Sequence, residues 1–171
     1  MKLKGLVHIY TGEGRGKTSI ALGTALRAAR YGLKTYFIQF MKTSKERKTI
    51  KQIKNVAYKC FGQKKWIYKN KIKQIDKKIA ERGLKFVESI VQKGNYDLVI
   101  LDEIIMAVWF GLLKEKDILT LIEKKPEHVE LILTGRGASK RLINAADYVS
   151  EIKKVKHPYD KGILARRGID Y

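Results

Sequence analysis

The sequence has little of several residue types, and each shortage excludes a class of protein. Its 171 residues include one cysteine, Cys60, which excludes an internal disulfide and makes a reducing cytoplasm the expected location. The three histidines are scattered and do not have the spacing of a zinc site. No apolar run approaches the roughly 20 residues of a membrane-spanning helix. With 44% hydrophobic residues, the chain is expected to fold as one globular domain.

Acidic residues are also scarce, since 17 of them stand against 37 lysines and arginines, for a net charge of +20. Residues 41–95 alone hold 17 basic and 4 acidic residues, a net charge of +13. This excess is compatible with a nucleic-acid-binding surface, a docking surface for an acidic protein, or a lysine-rich face that is merely solvated. The three interpretations remain open at this point.

Short apolar runs alternate with helical patterns along the chain. This alternation predicts one three-layer α/β domain over residues 1–171, with helices on both faces of a mostly parallel sheet. Strands are predicted over 5–10, 35–40, 56–61, the apolar runs of YDLVILDE and HVELILTGRG, and 148–152; helices over 16–31, 43–54, 68–91, 116–124 and 140–146.

The stretch TGEGRGKTS, residues 11–19, comes close to the phosphate-binding pattern G-x-x-x-x-G-K-[ST]. Counting back from Gly16 places Thr11 where the pattern has its first glycine. The stretch lies between a strand and a helix, so its N–H groups and the helix N-terminus are expected to bind phosphate. Lys17 would neutralise phosphate charge and the Thr18 hydroxyl would bind Mg²⁺. The alternative is a turn that needs its glycines for tightness alone, but such a turn rarely has G-K-T in register.

Two acids, Asp102 and Glu103, end the apolar run of YDLVILDE. We expect this run to lie beside the first strand, which places both acids at the carboxyl edge of the sheet near the loop. An acid in that position holds Mg²⁺ or its water ligands in phosphate-transferring proteins. The alternative is a helix N-cap, for which aspartate is well suited.

A third candidate is Arg136 in LTGRG, a strand that ends in a glycine turn. An arginine exposed among small residues can bind a triphosphate through two parallel hydrogen bonds. An ordinary surface arginine would have the same sequence context.

Together these stretches resemble one family, the P-loop ATP:corrinoid adenosyltransferases, over nearly the whole chain. The resemblance rests on GLVHIYTGEGRGKTSIALGTALRAARYGLK, YDLVILDE, PEHVELILTGRGA and VKHPYDKGILARRGIDY. It implies a RecA-like P-loop fold, usually a homodimer. It also implies transfer of the 5′-deoxyadenosyl group from ATP to the Co(I) of a reduced corrinoid, cobalamin or cobyrinic acid a,c-diamide, in the biosynthesis or salvage of adenosylcobalamin.

The resemblance explains the loop, because T-G-x-G-x-G-K-T is the form that this family uses. In the implied reaction Co(I) attacks C5′ of the ribose and the whole triphosphate leaves. The loop therefore holds and neutralises a leaving group, and it does not have to position water at the γ-phosphate.

The resemblance also implies the residues of the nucleotide site. Lys17 and Arg136 would supply the main catalytic charges. Thr18 and Glu103 would bind Mg²⁺, and Asp102 would either bind the ion as well or hydrogen-bond to the groups that bind it. The residues expected to contact ATP are Thr11, Gly12, Glu13, Gly14, Arg15, Gly16, Lys17, Thr18, Ser19, Arg27 and Arg136.

Phe61 and Trp66 correspond to aromatic residues that crowd the lower face of the corrin in this family. Displacing the lower axial base leaves four-coordinate Co(II), which is easier to reduce. An acidic flavoprotein is the expected electron donor, and its negative charge would be attracted to the excess of lysine and arginine described above. Core packing is the alternative explanation for both rings.

Three features depart from the family pattern. Glu13 replaces a more usual Asn or Asp in the loop, and Ile105 and Met106 replace a common polar–aromatic pair. Many relatives carry a helix before the first strand, and this chain is expected to lack such an N-terminal extension.

Two other functions compete with adenosyl transfer. A nucleic-acid-stimulated P-loop ATPase would release phosphate when DNA or RNA is added. A non-catalytic carrier would bind ATP and corrinoid without turnover. Nucleic acid and membrane are not expected partners of an adenosyltransferase.

Overall fold

The computed structural model describes residues 4–43, 46–63, 65 and 67–169 and confirms the predicted α/β fold. Two single 3₁₀ turns, Lys69–Lys71 and Pro158–Lys161, accompany the helices and strands. The strands of the described residues are β1 (Val7–Thr11), β2 (Thr35–Lys42), β3 (Val56–Gln63), β4 (Leu98–Asp102), β5 (Glu130–Thr134) and β6 (Tyr148–Glu151). The helices are α1 (Lys17–Arg30), α2 (Arg47–Ile50), α3 (Gln74–Lys93), α4 (Ile104–Trp109), α5 (Glu115–Lys124) and α6 (Lys140–Asn144).

The strands form one sheet in the order β3-β2-β4-β5-β1-β6, and every pairing in it is parallel. The expectation that the strand of YDLVILDE lies beside the first strand is wrong, because β5 lies between β4 and β1. All five residues of β4 are buried, so this strand needs a neighbour on each side, and β2 and β5 provide them. Asp102 still ends β4 and Glu103 follows it at the carboxyl edge, where the loop after β1 also lies.

Side chains of the strands alternate between two hydrophobic cores, one on each face of the sheet. Phe37, Ile100 and Ile132 face the core that α1 covers. Ile38, Leu101 and Leu133 face the larger core formed with α3, α4 and α5. The predicted three-layer arrangement follows from this period-two alternation.

Helix α1 packs on the sheet through small residues. Ala21, Ala25 and Ala28 are buried, whereas Ile20 and Leu26 on other faces of the helix are exposed. Small side chains allow the helix to approach the sheet closely as it leaves the phosphate-binding loop.

We predict that Gly83→Ala destabilises the protein although alanine is the better helix former. Gly83 is buried in the middle of α3, and a Cβ atom there would lie 2.7 Å from Cε1 of Phe40 and 2.9 Å from Cγ of Phe61. Both rings are buried in the core, so the extra methyl group would press against packed side chains. Overpacking should cost about 1–3 kcal/mol, more than the roughly 1 kcal/mol that helix propensity contributes.

Gly23→Ala in α1 is the matched control for this measurement. Gly23 is exposed, and a Cβ atom there meets no described atom within 4 Å. This variant should gain about 0.5–1 kcal/mol of unfolding free energy in urea. Equal gains in both variants would show that the Phe40–Phe61 contact yields to the extra methyl group.

Candidate active site

The loop between β1 and α1 has the backbone of a phosphate-binding loop. Gly12 and Gly16 have φ of 97° and 120°, in the left-handed region that favours glycine. Thr11, by contrast, ends β1, where its carbonyl accepts a hydrogen bond from the amide of Ile152 at 2.9 Å. A glycine is therefore not needed at this position, and the departure from the usual pattern costs the loop nothing.

The side chain of Lys17 lies against the backbone of the phosphate-binding loop. Its side chain is buried, and its Nζ atom donates to the carbonyls of Gly12 at 2.6 Å and Gly14 at 2.7 Å. Burial lowers the pKa of the Lys17 ammonium, while Glu103 raises it and Arg136 lowers it. The ammonium is thus held by the backbone of the loop, where it can exchange carbonyl partners for phosphate oxygens.

Asp102 is the centre of a buried hydrogen-bond network at the end of β4. Its Oδ1 atom accepts from the hydroxyls of Thr18 at 2.9 Å and Thr134 at 2.7 Å. Its Oδ2 atom accepts from Nε2 of Gln39 at 2.8 Å. The aspartate therefore ties the start of α1 to three neighbouring strands, as expected for an acid behind a phosphate site. It is not a helix N-cap, because that position of α4 is taken by Glu103.

Glu103 has a strained backbone and a buried, unsatisfied oxygen. Its φ is 63°, a left-handed conformation that costs a non-glycine residue about 1–3 kcal/mol. The Oε2 atom is buried and has no hydrogen-bond partner among the described residues. Burial raises the pKa of this carboxyl, and the ammonium of Lys42 offsets part of that rise. A strained residue at the carboxyl edge of the sheet with a buried, unpaired carboxylate oxygen is typical of a ligand position.

Lys42 was not predicted as a site residue. Its Nζ atom lies 3.3 Å from Oε1 of Glu103, 3.6 Å from Oδ2 of Asp102 and 3.4 Å from Oγ1 of Thr18. Burial would lower the pKa of its ammonium, but the two carboxylates raise it above the ordinary value. The sequence signal was present, because Lys42 ends a strand and parallel strands end at one edge. The adjacency of β2 and β4 could not be read from the sequence.

Arg136 reaches the phosphate-binding loop from the turn after β5. Its Nη1 atom is 2.8 Å from Oε2 of Glu13, and both side chains are about half exposed. The structure thus brings together the two loops that the sequence marked separately. Arg27 lies elsewhere, about ten residues further along α1, or roughly 15 Å along the helix axis from Lys17. It borders an open groove of about 570 Å³ between α1 and the segment that contains Ile53.

Of the two aromatic candidates for the corrin site, the structure describes only Phe61. Phe61 is 8% exposed and packs in the core, with its ring 6.1 Å from that of Phe40 and 5.5 Å from that of Phe86. This placement favours the packing explanation for Phe61. Trp66 lies outside the described residues.

Trp109 is an aromatic residue that the sequence did not single out. It is 43% exposed at the end of α4 and packs against Gly137, where a Cβ atom would lie 2.5 Å from its Cγ atom. The Nζ atom of Lys69 lies 4.5 Å from the ring centroid. The contact between α4 and the turn after β5 therefore depends on a glycine at position 137.

The fold and the site define a class. A glycine-rich loop before a helix, a buried acid at the end of another strand and an all-parallel sheet are the features of P-loop nucleotide-binding proteins. A KaiC-like protein from Pyrococcus horikoshii, PH0186, has a similar fold, with a TM-score of 0.61 and 18% identity over 88% of this chain and 72% of that one.

Sequence comparison specifies the family within this class. The model of the ATP:corrinoid adenosyltransferase family BtuR/CobO/CobP matches residues 3–171, and the chain belongs to that family. The corrinoid adenosyltransferase of Escherichia coli K12 is 29% identical over 98% of this chain and 86% of its own length. That of Pseudomonas aeruginosa is 31% identical over 98% of this chain and 84% of its own length. No helix in the described part of the chain is long and apolar enough to cross a bilayer.

Proposed function

We propose that the protein transfers the 5′-deoxyadenosyl group of ATP to the Co(I) of a reduced corrinoid and releases triphosphate, in the biosynthesis or salvage of adenosylcobalamin. The family match over residues 3–171 carries this proposal. The convergence of Lys17, Thr18 and Asp102 at one edge of the sheet supports it, because Lys17 can neutralise a departing triphosphate and the other two offer oxygen donors for Mg²⁺.

The bond changes determine what the protein has to supply. Two electrons of Co(I) form the Co–C5′ bond, the C5′–O bond breaks, and its electron pair leaves on the triphosphate. Cobalt is formally oxidised from Co(I) to Co(III), and no proton moves. No general base is required, so the task of this chain is to orient ATP and neutralise the leaving group.

The phosphate-binding loop and Arg136 would perform that task. Lys17 would exchange the carbonyls of Gly12 and Gly14 for phosphate oxygens. Arg136 would leave Glu13, because an exposed ion pair stabilises a protein by only about 0–1 kcal/mol and is easily broken. The remaining residues of the stretch 11–19 would contribute their backbone amides. A nucleotide contact for Arg27 remains a prediction that rests on the resemblance alone.

The donors at the acid pair fit a magnesium ion. The Thr18 hydroxyl, Asp102 and the unpaired Oε2 atom of Glu103 are oxygen donors at one point of the sheet edge, as Mg²⁺ prefers. The described residues contain no group of three or more His, Cys, Asp or Glu that could form a complete metal cage. Phosphate oxygens and water would therefore complete the coordination, and the bound ion would neutralise charge on the triphosphate.

The decisive experiment supplies chemically reduced cobalamin and Mg-ATP and follows the absorbance of a light-sensitive Co–C bond. Adenosyl transfer should produce one triphosphate for each Co–C bond formed. Release of inorganic phosphate that depends on added DNA or RNA would favour the ATPase instead. Binding of both substrates without product would favour a carrier.

Trp66 is proposed as an aromatic contact to the corrin in the step that precedes alkylation. Trp66→Ala should then slow turnover from Co(II) more than turnover from pre-reduced Co(I). Phe61→Ala is the comparison, because a core residue should lose stability and slow both routes alike. Equal losses on both routes in Trp66→Ala would contradict the proposal.

An acidic flavoprotein is proposed as the electron donor, docking on the basic surface. We define the basic surface as the exposed lysines Lys65, Lys69, Lys71, Lys73, Lys77 and Lys78. These lysines follow β3 at the carboxyl edge or lie in the first turns of α3, on the same side of the sheet as the phosphate-binding loop. Charge complementarity would therefore bring a donor to the side where the corrin reacts.

Donor-driven turnover is predicted to fall by about tenfold or more from low to physiological salt, because steering between exposed charges is screened over roughly 8 Å. Turnover from chemically supplied Co(I) should change much less. Replacing Lys71, Lys77 and Lys78 with glutamine should flatten the salt dependence of the donor-driven rate. The control replaces the exposed lysines Lys34, Lys93 and Lys124, which lie at the opposite edge of the sheet, and should leave that dependence as in the wild type. A parallel loss of both routes with salt would mean that the lysines are merely solvated.

We further propose that the protein acts as a homodimer in the cytoplasm. The homodimer follows from the family resemblance, and the location follows from the single cysteine, which suits a reducing compartment. Sedimentation equilibrium tests the first proposal, and a mass of one chain at micromolar concentration would contradict it. Fractionation of cells tests the second.

A further inference from the structure

The ammonium of Lys42 occupies the position where the three proposed magnesium ligands meet. It lies within 3.3–3.6 Å of oxygen atoms of Glu103, Asp102 and Thr18. The hydroxyl of Thr18 already donates its proton to Asp102, so a lone pair of its oxygen faces the lysine. A single positive charge thus neutralises two carboxylates at the point where the metal proposed above would bind.

Lys42 and a divalent cation cannot both occupy this cluster. A divalent ion and the ammonium, which carry three positive charges between them, would repel each other strongly at a partly buried site, and both would need the oxygen of Thr18. Metal binding therefore requires the ammonium to move away. The backbone of Lys42 would stay in place, because the residue pairs with Gln63 in the sheet and its carbonyl accepts a hydrogen bond from Sγ of Cys60.

The side chain has room to move and a clear destination. It is 29% exposed, and its four-carbon chain can swing from the end of β2 toward solvent. Its Nζ atom already lies 3.4 Å from Oγ1 of Thr18, the residue that follows Lys17, so it is close to the phosphate-binding loop. A triphosphate bound to that loop would be the nearest new concentration of negative charge.

We propose that Lys42 is a displaceable internal cation. In the nucleotide-free protein it neutralises Asp102 and Glu103 and excludes a free divalent ion. When metal and nucleotide bind together, the ion replaces the ammonium at the carboxylates, and Lys42 moves onto the triphosphate, where it adds to the charge of Lys17. The inference rests on the proposed metal and phosphate sites and assigns Lys42 a role in both.

Two titrations without corrinoid test the proposal. In the first, Mn²⁺ binding to nucleotide-free protein is measured by electron paramagnetic resonance for the wild type, Lys42→Met and the control Lys93→Met. Lys93 is exposed at the end of α3, so its replacement makes the same charge change far from the carboxyl edge. Lys42→Met should bind Mn²⁺ about tenfold more tightly than the other two proteins. Equal Mn²⁺ affinity in all three would overturn the exclusion.

The second titration measures the affinity for Mg-triphosphate by calorimetry. Loss of the ammonium should weaken binding about tenfold in Lys42→Met, with no change in Lys93→Met. The variant should therefore gain affinity for the metal alone and lose affinity for the product. A residue with only a structural role would not move the two affinities in opposite directions. Unchanged triphosphate affinity would overturn the proposed movement.

Folding of the variant is itself informative. If Lys42→Met leaves the carboxylates too strongly repelled to fold, added Mn²⁺ should restore folding by replacing the missing charge. Thermal unfolding that is equally impaired with and without Mn²⁺ would overturn the proposal. Neither titration contains cobalamin, so either can fail while adenosyl transfer succeeds, and the reverse also holds.

Discussion

Lys17→Ala is expected to lower adenosyl transfer by about 100- to 1000-fold or more while the protein remains folded. Lys17 holds its charge inside the phosphate-binding loop, and loss of one such group from a preorganised anion site usually has an effect of this size. Its Nζ atom donates to loop carbonyls, and the lysine is not part of either hydrophobic core. The measurement is transfer from pre-reduced cobalamin, with urea unfolding of the same variant.

Lys125→Ala is the matched control for Lys17→Ala. The Nζ atom of Lys125 also donates to a backbone carbonyl, that of Gly5 at 2.7 Å, and burial also lowers the pKa of its ammonium. It lies before β5, at the edge of the sheet opposite the phosphate-binding loop. Removing it should reduce stability and leave transfer close to wild type. Normal turnover in a folded Lys17→Ala variant would refute the assignment of the loop.

The acid pair is expected to separate into two roles. Asp102→Asn should abolish transfer and lower the unfolding free energy by about 2–4 kcal/mol, because the buried carboxylate accepts from Thr18, Thr134 and Gln39. The new amide would bring a donor to a position that already receives three donors. The protein should remain folded, and added Mg²⁺ should not restore adenosyl transfer.

Glu103→Gln should reduce transfer with little change in stability. Its Oε2 atom has no partner to lose within the described chain, and the glutamine has nearly the same shape. The ion pair of Oε1 with Lys42 is lost, but Lys42 keeps Asp102 as a partner and one buried charge is removed. Transfer measured across a Mg²⁺ titration should require more metal in this variant, by about 10- to 100-fold. If both acid variants follow the wild-type titration curve, the two acids are structural and the metal proposal is wrong.

Much of the fold could be predicted because its signals are local. Apolar runs of five residues that end in glycine or acidic turns indicate buried parallel strands, and the period of α3 indicates an amphipathic helix. The sequence signal for the phosphate-binding loop was also local, since G-K-T follows a strand within a few residues. The family resemblance indicated that Thr11 could stand at the first position, and its place at the end of β1 agrees.

No local signal in the sequence specifies the order of the strands in the sheet, and the prediction for the strand of YDLVILDE failed for that reason. Whether β5 or β4 pairs with β1 depends on how the crossover helices pack, which involves residues far apart in the chain. The same long-range pairing of β2 with β4 decides that Lys42 meets Asp102 and Glu103. The sequence around a lysine at the end of a strand does not indicate which residues it will contact.

The sequence by itself determined the class of this protein: the order of its strands and of its helices except α4, which was not predicted, the phosphate-binding loop with Lys17, and the acid pair at the end of a buried strand. Tertiary structure alone decided which side chains meet. It placed Phe61 in the core, paired Arg136 with Glu13 and put the ammonium of Lys42 between the two acids. The physical reason is that spacing along the chain sets backbone conformation and the face of each residue, whereas contacts between strand ends depend on the packing of the whole sheet.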